Sequence, residues 1–266
     1  MREALCALEG FSPRSIDLAA MLLDGYGVAE WAPKASAVLS AQMAFFFWLD
    51  DRFDSGLVSP EVATRVVLEI HGDRAPSTED ERSLEAHGFA AIEATLWARH
   101  PKQTPRARWR ASAASVVEAM LAESAIDSHT TLSEYVLVGA VTSTIGHLFA
   151  TLAWHEDLSF DDPATAALVR RLALHARLHN DKHSLARDER EHTLANAILV
   201  AAHGASREAG ATAIDRELAR LEEAIAASAD DERVHPRVRA MAPRMLATHK
   251  AFYQRAKDRY AQSAGT

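Results

Sequence analysis

The chain has 266 residues, 48% of them hydrophobic, with only 11 glycines and 9 prolines; this is the composition of a packed globular protein and excludes a low-complexity one. The formal net charge of −8 argues against a nucleic-acid or anionic-membrane binder, since both need a basic face, and suits a protein that holds cations. Its single cysteine, Cys6, excludes an internal disulfide framework and a cysteine-based zinc cluster, so a cytoplasmic location is expected.

Residues Met1 to Gly10 lack the apolar core of a signal peptide. No stretch is read as approaching the roughly 20 uncharged apolar residues that span a bilayer. The expectation is a soluble protein with no membrane insertion and no nucleic-acid partner.

Apolar residues recur at helical spacing almost throughout, and period-two alternation of β-branched residues is nearly absent, which predicts an all-α fold. In chain order the breakers leave helices at Ser12–Leu23, Pro33–Phe53, Ser59–Ile70, Thr78–Ala98, Thr104–Ile126, Leu132–Trp154, Pro163–Arg187, Glu189–Ala202, Thr212–Ala227 and Pro236–Gln262. Ser12-Pro13, Ser59-Pro60-Glu61, Thr104-Pro105 and Asp162-Pro163 each set a capping side chain before a first-turn proline. No long repeat is visible, and the loops at 72–80 and 229–236 separate no regions of different composition. One domain over residues 1–266, a helical bundle around a central cavity, is expected.

The second of these helices runs from aromatics into acids: Phe45-Phe46-Phe47-Trp48-Leu49-Asp50-Asp51-Arg52-Phe53-Asp54. Asp50 and Asp54 lie one turn apart on one face, above Met43, Phe46 and Phe47, while Asp51 points about 100° away. Two carboxylates aimed at one point repel unless a cation joins them, and Mg²⁺ commonly combines one or two carboxylates with substrate phosphates. Acids at a helix C-terminus are electrostatically unfavourable, so the plainer alternative of solvated acids before Ser55-Gly56 needs compensation.

The later segment Arg177-Leu178-His179-Asn180-Asp181-Lys182-His183-Ser184-Leu185-Ala186-Arg187-Asp188 puts Asn180, Ser184 and Asp188 at i, i+4 and i+8. An amide, a hydroxyl and a carboxylate form an oxygen-only ligand set suited to Mg²⁺ and poorly suited to zinc or copper. Arg177 and Arg187 flank it and are candidates for phosphate oxygens. His175, His179 and His183 repeat every four residues on a neighbouring face. They are read as histidines that bond locally or face water, since no other His or Cys cluster offers them a partner.

Together the two segments resemble class I terpene synthases, whose aspartate-rich motif ends one helix and whose Asn/Ser/acid motif lies on another. The motifs stand in the family's order, about 130 residues apart. Within the family the chain looks most like the bacterial ent-kaurene synthase-like, labdane-related diterpene synthases. That likeness rests on Phe47-Trp48-Leu49-Asp50-Asp51, Gly56-Leu57-Val58-Ser59-Pro60, Glu134-Tyr135, Arg177-Leu178-His179-Asn180-Asp181 and Arg259-Tyr260.

The resemblance implies Mg²⁺, three ions in all, on Asp50, Asp54, Asn180, Ser184 and Asp188, with Arg177, Arg187, Arg259 and Tyr260 on the diphosphate. The family's usual third ligand is Glu, where this chain has the shorter Asp188. Many bacterial cyclases also carry a diphosphate-sensing Arg around Glu134 to Gly146; here there is none, as in the kaurene-synthase-like enzymes. The implied reaction ionises a prenyl diphosphate, most closely ent-copalyl diphosphate, to a kaurene- or pimaradiene-type diterpene plus diphosphate. Phe46 and Phe47 would line the cavity, Trp154 being read as core. A helix break within Gly139-Ala140-Val141-Thr142-Ser143-Thr144-Ile145-Gly146 would face the reacting carbons. The alternatives are a sesquiterpene cyclase on farnesyl diphosphate, a cyclase acting directly on geranylgeranyl diphosphate and, remotely, a non-enzymatic helical interaction module. A homodimer and functional coupling to a class II diterpene cyclase are both compatible with this reading.

Overall fold

The computed structural model describes residues 1–72 and 83–255. Among these the chain forms thirteen helices and no strand: α1 Arg2–Cys6, α2 Arg14–Gly25, α3 Val28–Trp31, α4 Pro33–Asp54, α5 Pro60–His71, α6 Leu84–Arg99, α7 Gln103–Glu123, α8 Leu132–Thr142, α9 Ile145–Glu156, α10 Pro163–Arg190, α11 Ala197–Ala201, α12 Arg207–Ala229 and α13 Pro236–Arg255. The all-α expectation therefore holds. Of the four proline-marked starts, Ser59 accepts from Val62 N and Asp162 accepts from Ala164 N and Thr165 N, each satisfying amides that the first turn leaves without a helical partner. The other two are corrected. Pro13 itself has helical dihedrals, so α2 starts without a side-chain cap, and α7 begins one residue before Thr104.

The helices pack as two compact units. One comprises Met1–Leu121 and Gly146–Phe160; the other comprises Ala122–Ile145 and the chain from Asp161 onward.

In the first unit α4 is buried along most of its length and packs on α2, α3 and α6. Its aromatics build the core: Phe45 meets Phe89 edge-on at 5.0 Å, and Phe46 meets His147 edge-on at 5.3 Å. Gly88 makes the first contact possible, because a Cβ there would lie 2.1 Å from Phe45 Cε2. The end of α4 is tied down twice. Trp48 Nε1 donates to Glu9 O at 2.9 Å, and Arg52 pairs with the buried Glu85 at 2.8 Å while its guanidinium lies over Trp48.

His147 sits in this aromatic core beside Phe46 and Trp109, and neither ring nitrogen has a hydrogen-bond partner. Burial alone pulls its pKa from 6.5 to about 3. The unfolded chain thus binds this proton more readily than the folded one between those values. Stability associated with neutral His147 is complete above pH 6.5 and is lost as pH falls toward 3. At about 1.36 kcal/mol per pKa unit, roughly 3 kcal/mol is gone by pH 4. His147→Leu is expected to remove most of that fall when denaturant unfolding is compared at pH 7 and pH 4; an identical fall in the variant contradicts the assignment.

The run Leu132–Glu156 corrects a second expectation. By length and composition its 25 residues are apolar enough to cross a membrane. Half of its most apolar window is buried within the protein, and the chain breaks at Ser143-Thr144 into α8 and α9. Thr144 takes φ = 60°, a left-handed conformation that costs a β-branched residue roughly 1–2 kcal/mol. The break foreseen between Gly139 and Gly146 is therefore present.

In the second unit α10 packs against α8, α11, α12 and α13. It runs through to Arg190, so the helix expected over Glu189–Ala202 is reduced to the short α11, capped by Asn196. His235 N donates to Thr165 Oγ1 at 2.8 Å, tying the approach to α13 to the start of α10.

Candidate active site

Asp50 and Asp54 occupy the last turn of α4; Asp50 is half-buried and Asp54 exposed, as is Asp51 between them. The ties from Trp48 and Arg52 fix the helix end that carries these carboxylates. Phe46 is fully packed against Phe89 and His147, whereas Phe47 is half-buried. Trp154 is core, as read: it stacks edge-on to Trp109, and its Nε1 donates to His100 O at 2.8 Å.

On α10, Asn180 is half-buried, and Ser184 and Asp188 are buried. Ser184 Oγ donates to Asp188 Oδ2 at 2.6 Å, and Arg187 Nε donates to Asp188 Oδ1 at 3.2 Å. Asn196, which the sequence reading missed, completes the cluster. Its Nδ2 donates to Asp188 Oδ2 and to Asp181 O, each at 2.8 Å, while its Oδ1 caps α11 through Ile198 N. Its one local signal was an Asn standing before an apolar run.

Beneath this cluster lies a buried charged network. Tyr135 OH donates to Asp181 Oδ2 at 2.7 Å and accepts from Arg177 Nε at 2.9 Å and Nη2 at 2.7 Å. Arg177 also pairs with Asp181 Oδ1 at 3.0 Å, bonds Glu123, and donates to Ala195 O at 3.1 Å. Burial pushes the Asp181 carboxyl up, against the pull of Arg177 and the Tyr135 hydrogen bond; burial likewise pushes the Tyr135 phenol up. Gly139 is part of this arrangement, since a Cβ there would meet Arg177 Cγ at 2.9 Å. Thr142 Oγ1 accepts from Arg177 Nη1 at 3.4 Å, and Ser143 Oγ donates to Ala140 O at 2.8 Å. Thr144 is buried at the break. Arg259 and Tyr260 lie outside the described residues.

Residues 42–226 match the family described as terpene synthase family 2, C-terminal metal binding, and the match runs through both packed units and both acidic motifs. The chain belongs to this family. It is thus a terpene synthase, an all-helical enzyme acting on prenyl diphosphates. No curated protein sequence matches it. Among solved structures it resembles the linalool/nerolidol synthase of Streptomyces clavuligerus in complex with 2-fluorogeranyl diphosphate, at 15% identity and TM-score 0.71, over 96% of this chain and 94% of that one. Germacradien-4-ol synthase from Streptomyces citricolor is 20% identical, with TM-score 0.69 over 95% and 87%. Isoprene synthase from grey poplar (Populus x canescens), solved with three Mg²⁺ ions and dimethylallyl-S-thiolodiphosphate, is 12% identical, with TM-score 0.75 over 94% and 51%. Such distant likenesses establish the shared fold.

The residues of this terpene synthase fit a hard divalent ion. Neighbouring ligands of octahedral Mg²⁺, at about 2.0–2.1 Å from the metal, stand about 2.9 Å apart, close to the 2.6 Å between Ser184 Oγ and Asp188 Oδ2. The donor set is oxygen throughout. Asp188 Oδ1, which among the described residues accepts only from Arg187, retains a lone pair for a metal, whereas Oδ2 already accepts from both Ser184 and Asn196.

Proposed function

We propose that this synthase ionises a prenyl diphosphate with Mg²⁺ and cyclises or rearranges the allylic cation, with ent-copalyl diphosphate as substrate and a kaurene- or pimaradiene-type diterpene as product. The observation that carries the ionisation chemistry is the buried Ser184–Asp188–Asn196 cluster beside Arg187, where oxygen ligands are already oriented on one face of α10. The substrate reading rests on the resemblance and on the lack of any arginine between Glu134 and Gly146.

In this reading Asp50, Asp54, Asn180, Ser184 and Asp188 hold the ions, three by analogy with the complex of the poplar enzyme. Bound Mg²⁺ supplies positive charge against the leaving diphosphate oxygens. Arg187, Arg259 and Tyr260 add charge-assisted or neutral hydrogen bonds to the same oxygens. Arg177, proposed for the same task, is held by Tyr135, Glu123 and Asp181, and its part is to fix α10 beneath the ligands. Phe47 offers a half-buried aromatic face to the cation. Gly139, Thr142, Ser143 and Thr144 shape the wall at the helix break, while Phe46 is packed against Phe89 and His147 in the core of the first unit. The chain is read as a single-domain enzyme of the cytoplasm. A class II cyclase, which makes copalyl diphosphate, is the natural supplier, and a homodimer is compatible with the scheme.

The test incubates purified protein and Mg²⁺ separately with ent-copalyl, geranylgeranyl and farnesyl diphosphates and identifies hydrocarbons by gas chromatography. Product from the copalyl substrate alone is expected. Turnover confined to farnesyl or geranylgeranyl diphosphate contradicts the substrate assignment.

A further inference from the structure

A second constellation on α10 is distinct from the oxygen ligands. His175 and His179, one turn apart, meet Glu222 of α12, and one ligand atom from each lies within 4.8 Å of the others. His175 is wholly buried, and its ring centroid is 4.6 Å from that of His179. His179 Nε2 is buried and has no hydrogen-bond partner. His175 Nε2 is 3.5 Å from Glu222 Oε1. All of these residues belong to the second unit.

From this arrangement we propose that His175, His179 and Glu222 form a Zn²⁺ site that clamps α10 to α12. Two imidazoles and a carboxylate are a ligand set that zinc takes readily, with a fourth position left for water. Tetrahedral bonds of about 2.0–2.2 Å set ligand atoms about 3.3–3.5 Å apart; His175 Nε2 and Glu222 Oε1 already stand 3.5 Å apart, and the three ligand atoms lie within 4.8 Å of one another.

The groups behind the ligands are arranged for the same purpose. His175 Nδ1 is 2.9 Å from the buried His249 Nδ1, so one of the two rings carries the shared proton. With Nε2 on a metal, His175 donates from Nδ1 to His249, which fixes the tautomer and the ring plane. Lys250 Nζ donates to Glu222 Oε2 at 2.7 Å, orienting the carboxylate and leaving Oε1 toward the histidines. Zinc here is separate from the Mg²⁺ ligands, since it uses nitrogen donors on a neighbouring face of α10.

The test strips the full chain with a chelator, removes the chelator, and titrates Zn²⁺ in the presence of excess Mg²⁺ by competition with a chromophoric zinc indicator. One zinc equivalent is expected, with a rise in Tm on binding. Glu222→Gln, which keeps the shape and removes the charge, and His179→Ala should each weaken binding at least tenfold, while Asp50→Ala should bind as the parent does. Circular dichroism checks the fold, and Glu222→Gln alone decides the matter if the histidine variant misfolds. No zinc bound by the folded parent chain, or undiminished binding in folded Glu222→Gln, overturns the site.

Discussion

Asp181→Ala is expected to lower the unfolding free energy by about 3–5 kcal/mol, the usual cost of removing one partner from a buried ion pair. Asp181 is fully buried and accepts from Tyr135 OH and Ala197 N while pairing with Arg177. Without it, Arg177 keeps Glu123 and the Ala195 carbonyl but loses its buried counter-charge, and the Tyr135 hydroxyl is left to donate only over its longer bond to Ala195 O at 3.3 Å. Asp181→Asn retains a hydrogen-bond acceptor and should cost less. The check is denaturant unfolding of the three proteins side by side. A loss below about 1 kcal/mol in the alanine variant means that the network contributes little, and Arg177 is then freer to meet a diphosphate than its present contacts imply.

The second large effect is on turnover. Asp50→Ala and Asn180→Ala should each reduce it at least about 100-fold, the scale on which removing one preorganised electrostatic contact to the transition state acts. Asp50 is half-buried on a helix end held by Trp48 and Arg52, and Asn180 is half-buried on α10, so neither side chain carries the core. Far-ultraviolet circular dichroism should therefore match the parent. Rescue by raised Mg²⁺ would point to weakened metal affinity; full activity at ordinary Mg²⁺ in either variant refutes the assigned ligands. Asp188 is the informative third position. Its oxygens already bond Ser184, Asn196 and Arg187, so Asp188→Glu tests whether the family's longer ligand is tolerated where the shorter one is set by three neighbours.

Helical periodicity made the fold class legible, because apolar spacing is a local property of the chain. The Ser59 and Asp162 caps were legible for the same reason. Ser12 and Thr104 carried the same local signature, yet α2 starts through a proline already in helical dihedrals and α7 starts one residue early. That Asn180, Ser184 and Asp188 share one side of α10 could be read because i, i+4 and i+8 share a face whatever surrounds the helix. Asn196 could not, since its contacts to Asp181 and Asp188 depend on the chain folding back after α10 ends. The histidine stripe was underread on the same grounds. Its partners Glu222 and His249 lie 47 and 74 residues from His175 in sequence, and only the packing of α12 and α13 on α10 brings them there.

The central claim, that these acidic and amide ligands drive Mg²⁺-dependent ionisation, is tested most directly by diphosphate release. Purified protein is mixed with each of the three prenyl diphosphates, with Mg²⁺ or with a chelator, and released diphosphate is measured. Release from at least one substrate, abolished by the chelator and restored by added Mg²⁺, is the result predicted. Absence of release from all three, or release unaffected by the chelator, contradicts it.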